Sequence, residues 1–172
     1  YLSPTVDLPT TITRPSVYVG QSATTQITYH PTHQRPTQIS EAGYRPNGTA
    51  VSRTLTFQYN AQGQLTQVDG PRTDVSDLTT FTYHPCTTGS ECGQLASVTN
   101  ALGHVTSFDA YDAAGRLLES TDPHGTVTTT TYDPRGRVLT TTRTPVSGAP
   151  RTWTFTHDAN GQLETSTSPA GV

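Results

Sequence analysis

The chain has 172 residues, a formal net charge of −3, and 31% hydrophobic and 13% charged residues. That length is one domain or a short repeat array with a modest core, and the composition excludes both a membrane-helix protein and a charge-rich disordered tail. The acidic balance gives no electrostatic reason to bind nucleic acid or an anionic bilayer, no membrane insertion is expected, and the ten basic residues, all Arg, form no basic run.

Thr supplies about a fifth of the chain, and it fits a pleated surface better than a helix. No helical period of useful length emerges, and Gly or Pro punctuates the sequence at short intervals. The predicted class is all-β. The chain holds no Met and opens on no charged-then-apolar leader. Its last residues, Ser168 to Val172, stop inside a recurring phrase, so a piece of a longer polypeptide is expected, with any targeting segment elsewhere.

In chain order, residues 1–24 show no recognisable unit and are set apart as a poorly assigned N-terminal segment or a degenerate repeat. Residues 25–172 read as about six hairpin units. The first is weak, Tyr29-His30-Pro31-Thr32-His33, with no glycine. The second is Tyr59-Asn60-Ala61-Gln62-Gly63-Gln64-Leu65. The third begins Tyr83-His84-Pro85 and resumes, after an insertion, at Gly93-Gln94-Leu95. The fourth and fifth agree best: Tyr111-Asp112-Ala113-Ala114-Gly115-Arg116-Leu117 and Tyr132-Asp133-Pro134-Arg135-Gly136-Arg137-Val138. The sixth, His157-Asp158-Ala159-Asn160-Gly161-Gln162-Leu163, puts His in place of Tyr. Successive aromatic positions lie roughly 21 to 30 residues apart, the range of stacked supersecondary units.

Each unit alternates turn and strand. Asp122-Pro123-His124-Gly125 has Asp first, Pro second and Gly fourth, the grammar of a tight turn. Thr126 to Tyr132 is a β-branched run, Asp133 to Gly136 a second turn, and Arg137 to Thr142 the return strand. Chained hairpins make an antiparallel meander. Leu55, Phe57 and Tyr59 share one parity, as do Phe81 with Tyr83 and Trp153 with Phe155 and His157, which predicts one apolar, dry face. Leu65, Leu95, Leu117, Val138 and Leu163 supply one aliphatic per unit. Phe108 breaks the alternation unless a bulge intervenes. A buried Leu contributes about 1.5–3 kcal/mol, whereas ordering some twenty residues costs on the order of 20–40 kcal/mol. One hairpin cannot stand alone, so the units must pair edge to edge.

The YDxxGR[LV] and DPxG phrases resemble the tyrosine–aspartate (YD) repeats of Rhs proteins, a family that includes bacterial polymorphic toxins, toxin-complex C components and teneurins. The clearest matches run from Tyr111 to Leu117 and from Asp122 to Val138, and partial ones extend from about Ile27 to Gly171. The resemblance implies tandem hairpins in an open, curved antiparallel sheet, a segment of a spiralling β-shell that encloses a C-terminal toxin domain. It implies a secreted or cell-surface bacterial protein whose partners are further repeats and the toxin domain of the same polypeptide. No toxin, plug or self-cleaving segment is identifiable in these residues.

Cys86 and Cys92 sit inside the insertion of the third unit, one on each arm of the turn. A disulfide stapling the tip is the favoured reading, and it would suit an oxidising compartment. Free thiols, or a metal pair completed by His84, are the alternatives, although zinc normally takes four closely spaced ligands. Asp112 with Arg116 and Asp133 with Arg137 flank the same turn, where Asp accepts turn N–H groups and can pair with Arg across it. Turn chemistry therefore outranks catalysis for them, and for Asp109 and Asp122. The six histidines show no metal-ligand spacing, and neither a nucleophile elbow nor a phosphate loop appears. No catalytic, cofactor or metal site is predicted, and no enzyme. Asn47-Gly48-Thr49 fits a glycosylation acceptor. The row Tyr29, Tyr59, Tyr83, Tyr111 and Tyr132 reads as an aromatic ladder packing successive hairpins, or else as a sugar-binding face on an adhesin. The leading expectation is a non-catalytic wall; the alternative is a surface that binds glycan or protein.

Overall fold

A computed structural model describes residues 8–86 and 89–169. The start of the 1–24 segment, Thr87 and Thr88 of the cysteine insertion, and the closing residues 170–172 lie outside the described residues. The chain is all-β, and its thirteen described strands lie in chain order in one open antiparallel sheet without a crossover. No described helix is long and apolar enough to cross a membrane.

Two compact units divide the chain after Thr80. The first holds β1 (Thr11–Pro15), β2 (Ser22–Tyr29), β3 (Pro36–Tyr44), β4 (Ala50–Tyr59) and β5 (Leu65–Asp69). The stretch left without a unit at the sequence level thus supplies β1, the outer partner of β2. β6 (Thr79–Tyr83) straddles the division. The second unit holds β7 (Leu95–Thr99), β8 (Val105–Tyr111), β9 (Leu117–Thr121), β10 (Val127–Tyr132), β11 (Val138–Thr144), β12 (Arg151–His157) and β13 (Leu163–Thr167).

The repeat phrase sits at one set of hairpin ends, where the Tyr and the aliphatic after the glycine are register partners. Tyr59 faces Leu65, Tyr111 faces Leu117, Tyr132 faces Val138 and His157 faces Leu163. In each case the register slips one residue further along, leaving Thr66, Leu118, Leu139 or Glu164 extra on the return strand. Thr37 is extra in the same way beside Tyr29 and Pro36. Five repeats therefore carry a bulge at the same place, which adds local twist. A further slip at Asp109 answers the Phe108 anomaly: Phe108 pairs with Ser120 and Ala110 with Glu119, so Asp109 is the odd residue.

The expectation of a dry face needs correcting. No hydrophobic side chain is buried among the described residues. Leu65, Leu95, Leu117 and Val138 are half-buried, while Leu163 on β13 is 59% exposed. The reason is geometric: within a sheet, each of these side chains leans chiefly on its cross-strand neighbours. Half-burial of a Leu is worth about 1 kcal/mol, so hydrophobic packing alone does not hold the strands in register. Polar contacts along the hairpin ends add to it.

Candidate functional site

The repeat residues converge on those hairpin ends. Each turn closes with two backbone bonds in a fixed pattern: the Asp112 N–H donates to Arg116 O and the Gly115 N–H to Asp112 O, both at 2.9 Å. Asn60, Asp133 and Asp158 repeat it with their own glycines, Gly63, Gly136 and Gly161. The side chain at the Asp position then receives the turn's inner amides. Asp112 Oδ1 accepts from Ala114 N at 2.9 Å and Arg116 N at 3.0 Å. Asp133 Oδ1 accepts from Arg135 N and Arg137 N, both at 2.9 Å. Asn60 and Asp158 make the equivalent bonds to Gln64 N and Gln162 N.

The second carboxylate oxygen takes the arginine. Arg116 Nε donates to Asp112 Oδ2 at 2.5 Å and Arg137 Nε to Asp133 Oδ2 at 2.6 Å. The backbone bonds from Arg116 and Arg137, foremost, hold the Asp112 and Asp133 carboxyls below their ordinary value of 3.8. Asp122, which caps the turn at the other hairpin end, is lowered chiefly by its bond from Thr126 N.

Arginine also reaches forward to the next repeat. Arg116 Nη1 lies 3.3 Å from Asp133 O, with its guanidinium 4.8 Å from the centre of the Tyr132 ring. Arg137 Nη1 lies 3.4 Å from Asp158 O. The forward-reaching side chain crosses the next glycine closely enough that a β-carbon on Gly136 would meet Arg116 Nη1 at 3.0 Å, and one on Gly115 would meet Gln94 Nε2 at 2.8 Å. These glycines also hold φ of +84° and +75°, which side-chain-bearing residues avoid. The backbone conformation is what requires glycine here; a side chain would also displace the tip of Arg116 or Gln94.

Tyrosine reaches backward. β9 and β10 pair only from Val127–Thr121 to Thr129–Glu119; beyond that, the Tyr132 hydroxyl donates to Leu117 O at 2.9 Å. Tyr111 donates to Leu95 O at 2.8 Å, Tyr59 to Pro36 O at 2.8 Å and Tyr29 to Pro9 O at 2.9 Å. The phenol replaces a ladder bond where the backbone pairing runs out. Burial raises the Tyr111 pKa, which keeps its phenol a donor. The link between these repeats is thus a hydroxyl on a carbonyl, to which Tyr111 adds an edge-on contact with the His84 ring, centroids 6.1 Å apart. In the sixth repeat His157 has no hydroxyl to offer, and its Nδ1 is buried without a hydrogen-bond partner.

The third repeat departs most. Cys86 and Cys92 are joined by a disulfide with Cα atoms 4.2 Å apart. His84, standing where Asp stands elsewhere, sends its ring Nε2 to Phe108 O at 2.7 Å, and Ser90 Oγ donates to Tyr111 O at 2.7 Å. The two arms of this turn are held covalently where the Asp–Arg pair is missing. With both cysteines in the disulfide, the alternative of a metal pair with His84 lapses, and the described residues bring no three His, Cys, Asp or Glu together for an ion. Tyr83, Gly93 and Leu95 occupy the positions of their counterparts in the neighbouring repeats.

Sequence reading missed two of these features. The forward arginine contact and the backward phenol contact each end on a backbone carbonyl, which leaves no mark in the sequence of the partner.

Comparison with known proteins agrees with this geometry. A family model for the RHS repeat matches residues 93–119 and 111–149. No curated protein matches the chain by sequence. Among solved structures, the Tc holotoxin pore of Photorhabdus luminescens carrying a TccC3 mutation superposes with a TM-score of 0.68 at 14% identity, over 85% of this chain. The TcdB2–TccC3 complex without its hypervariable C-terminal region gives 0.67 at 14% identity over 85% of this chain, and TcdB2–TccC3–Cdc42 gives 0.65 at 12% over 85%. At such identity the likeness is one of fold. The chain spans only 7% to 8% of the length of those chains.

Proposed function

We propose that this chain is a stretch of shell wall in an Rhs (YD) repeat protein: a non-catalytic surface that encloses a toxin domain carried by the same polypeptide, in a secreted bacterial toxin. The observation that carries the reading is the turn ladder. Phenol, carboxylate, glycine and guanidinium are all consumed in tying one hairpin to the next, so the repeat residues serve the continuity of the sheet. The likeness in fold to TccC3-containing complexes supports the same reading. In this view the partners are further repeats on either side and a C-terminal cargo.

The second reading, a glycan- or protein-binding face along the tyrosine row, has less support, because the hydroxyls of Tyr29, Tyr59, Tyr111 and Tyr132 already donate to backbone carbonyls. The test is protease protection in the complete natural polypeptide that contains these residues. A C-terminal domain that resists digestion, and becomes digestible when Leu117→Asp and Tyr132→Ala break the wall, is the expected result. A C-terminal domain digested equally fast in both proteins would refute containment.

A further inference from the structure

Four of the ten arginines form ion pairs among the described residues. Arg116 and Arg137 hold aspartates in their turns, Arg53 pairs with Glu41 and Arg72 with Asp74. Arg143 and Arg151 differ. They are direct register partners on β11 and β12, so their side chains leave the same face with β-carbons about 5 Å apart. Two like charges directly opposite destabilise a strand pair, yet neither guanidinium has a carboxylate within salt-bridge distance among the described residues. Arg143 lies instead over the Trp153 ring, 5.7 Å from its centre, where cation–π attraction steadies it.

These three side chains line an open hollow of about 1000 Å³ whose other walls include Thr126, Pro145 and Pro150. Two prolines stiffen the loop that borders it. Trp153 is half-buried, so part of its ring remains available. The combination is specific: two register-paired arginines beside a flat apolar wall, in a chain of formal charge −3.

We propose that this hollow is a binding site for a phosphate or sulfate group borne on a flat apolar carrier. Two guanidiniums side by side match a tetrahedral dianion better than a single carboxylate, because each fork can donate two hydrogen bonds to a different pair of oxygens. The bound anion removes the mutual repulsion of Arg143 and Arg151, and its carrier packs on Trp153 and the bordering prolines. The site is independent of the turn ladder and lies outside the containment reading.

Trp153 is the sole tryptophan, so its fluorescence reports from inside the hollow. The chain is titrated with phenyl phosphate, inorganic phosphate and benzyl alcohol, the last carrying the ring without the charge. Saturable change with phenyl phosphate at tenfold or more lower concentration than with inorganic phosphate is expected, and none with benzyl alcohol. Arg143→Gln and Arg151→Gln should each weaken phenyl phosphate binding at least fivefold, while Arg14→Gln, in the other unit, leaves it unchanged. A rise in the urea midpoint with phenyl phosphate, absent in Arg151→Gln, supports the site by a readout that does not depend on the indole. Equal response to benzyl alcohol, or full binding by Arg151→Gln, overturns the proposal. Equal affinity for inorganic phosphate and the ester overturns the carrier and assigns the source to free anion.

Discussion

Removing one oxygen from Tyr132 tests the claim that phenols take over where the backbone ladder ends. Tyr132→Phe keeps the ring, its partner Val138 and the nearby Arg116 guanidinium, and deletes the donor to Leu117 O at 2.9 Å. A net hydrogen bond is worth about 0.5–1.5 kcal/mol, and a fully buried orphan acceptor costs up to about 3 kcal/mol. Leu117 is only half-buried, so water can partly replace the phenol and the loss should settle near 1 kcal/mol. In a chain of this length that is roughly 2–4 °C in Tm. The matched control is Tyr29→Phe, whose bond to Pro9 O is solvent-exposed and should cost less than about 0.5 kcal/mol. Urea unfolding followed by circular dichroism measures both. A Tyr132→Phe midpoint equal to the parent's, or a larger loss at Tyr29 than at Tyr132, would refute the reasoning.

Three further outcomes follow from the turn chemistry. Because Asp112, Asp122 and Asp133 have folded pKa values below the ordinary 3.8, their contribution is complete above that value and disappears as pH falls through the lowered ones. The urea midpoint should therefore lose an acid-sensitive component below about pH 4, and replacing all three by Asn, which keeps the amide-accepting oxygen, should flatten that limb; an unchanged acid limb counts against the caps. Joint replacement of Cys86 and Cys92 by Ala should destabilise by about 2 kcal/mol, the loop-closure value for a bridge of this short span, and a calorimetric Tm equal to the parent's would contradict it. Gly103→Ala meets open space at φ +79° and should cost about 1–2 kcal/mol for conformation alone; Gly136→Ala should cost more, because Arg116 must also move, and equal losses would remove the glycine from the inter-repeat contact.

The all-β class, the hairpin ends and the one aliphatic per unit were legible in sequence because turns are local: an Asp three residues before a Gly fixes its own backbone. The recurrent bulge was not. Its extra residue is Thr37, Thr66, Leu118, Leu139 or Glu164, positions with no one chemistry common to all, since the bulge arises from how the turn feeds the return strand. The dry face failed for a different reason. Alternation reports which side chains point the same way, and says nothing of whether a second layer covers them. The site residues were recognisable as a repeated phrase, while the direction in which Arg116 and Tyr132 reach depended on spacing between repeats that no single repeat contains.

The extra residue beside each aliphatic has a consequence for how such a chain tolerates change in length. Each of the five bulged hairpins passes its turn-proximal partnership and then resets its own phase, so a longer connection upstream does not invert the faces of what comes after. The disulfide-bearing insertion illustrates this: it lengthens one tip, and the following hairpins still present Tyr111 to Leu117 and Tyr132 to Val138. Additions and deletions at the tips are thereby quarantined, leaving them free to diversify while the weave behind them stays in step.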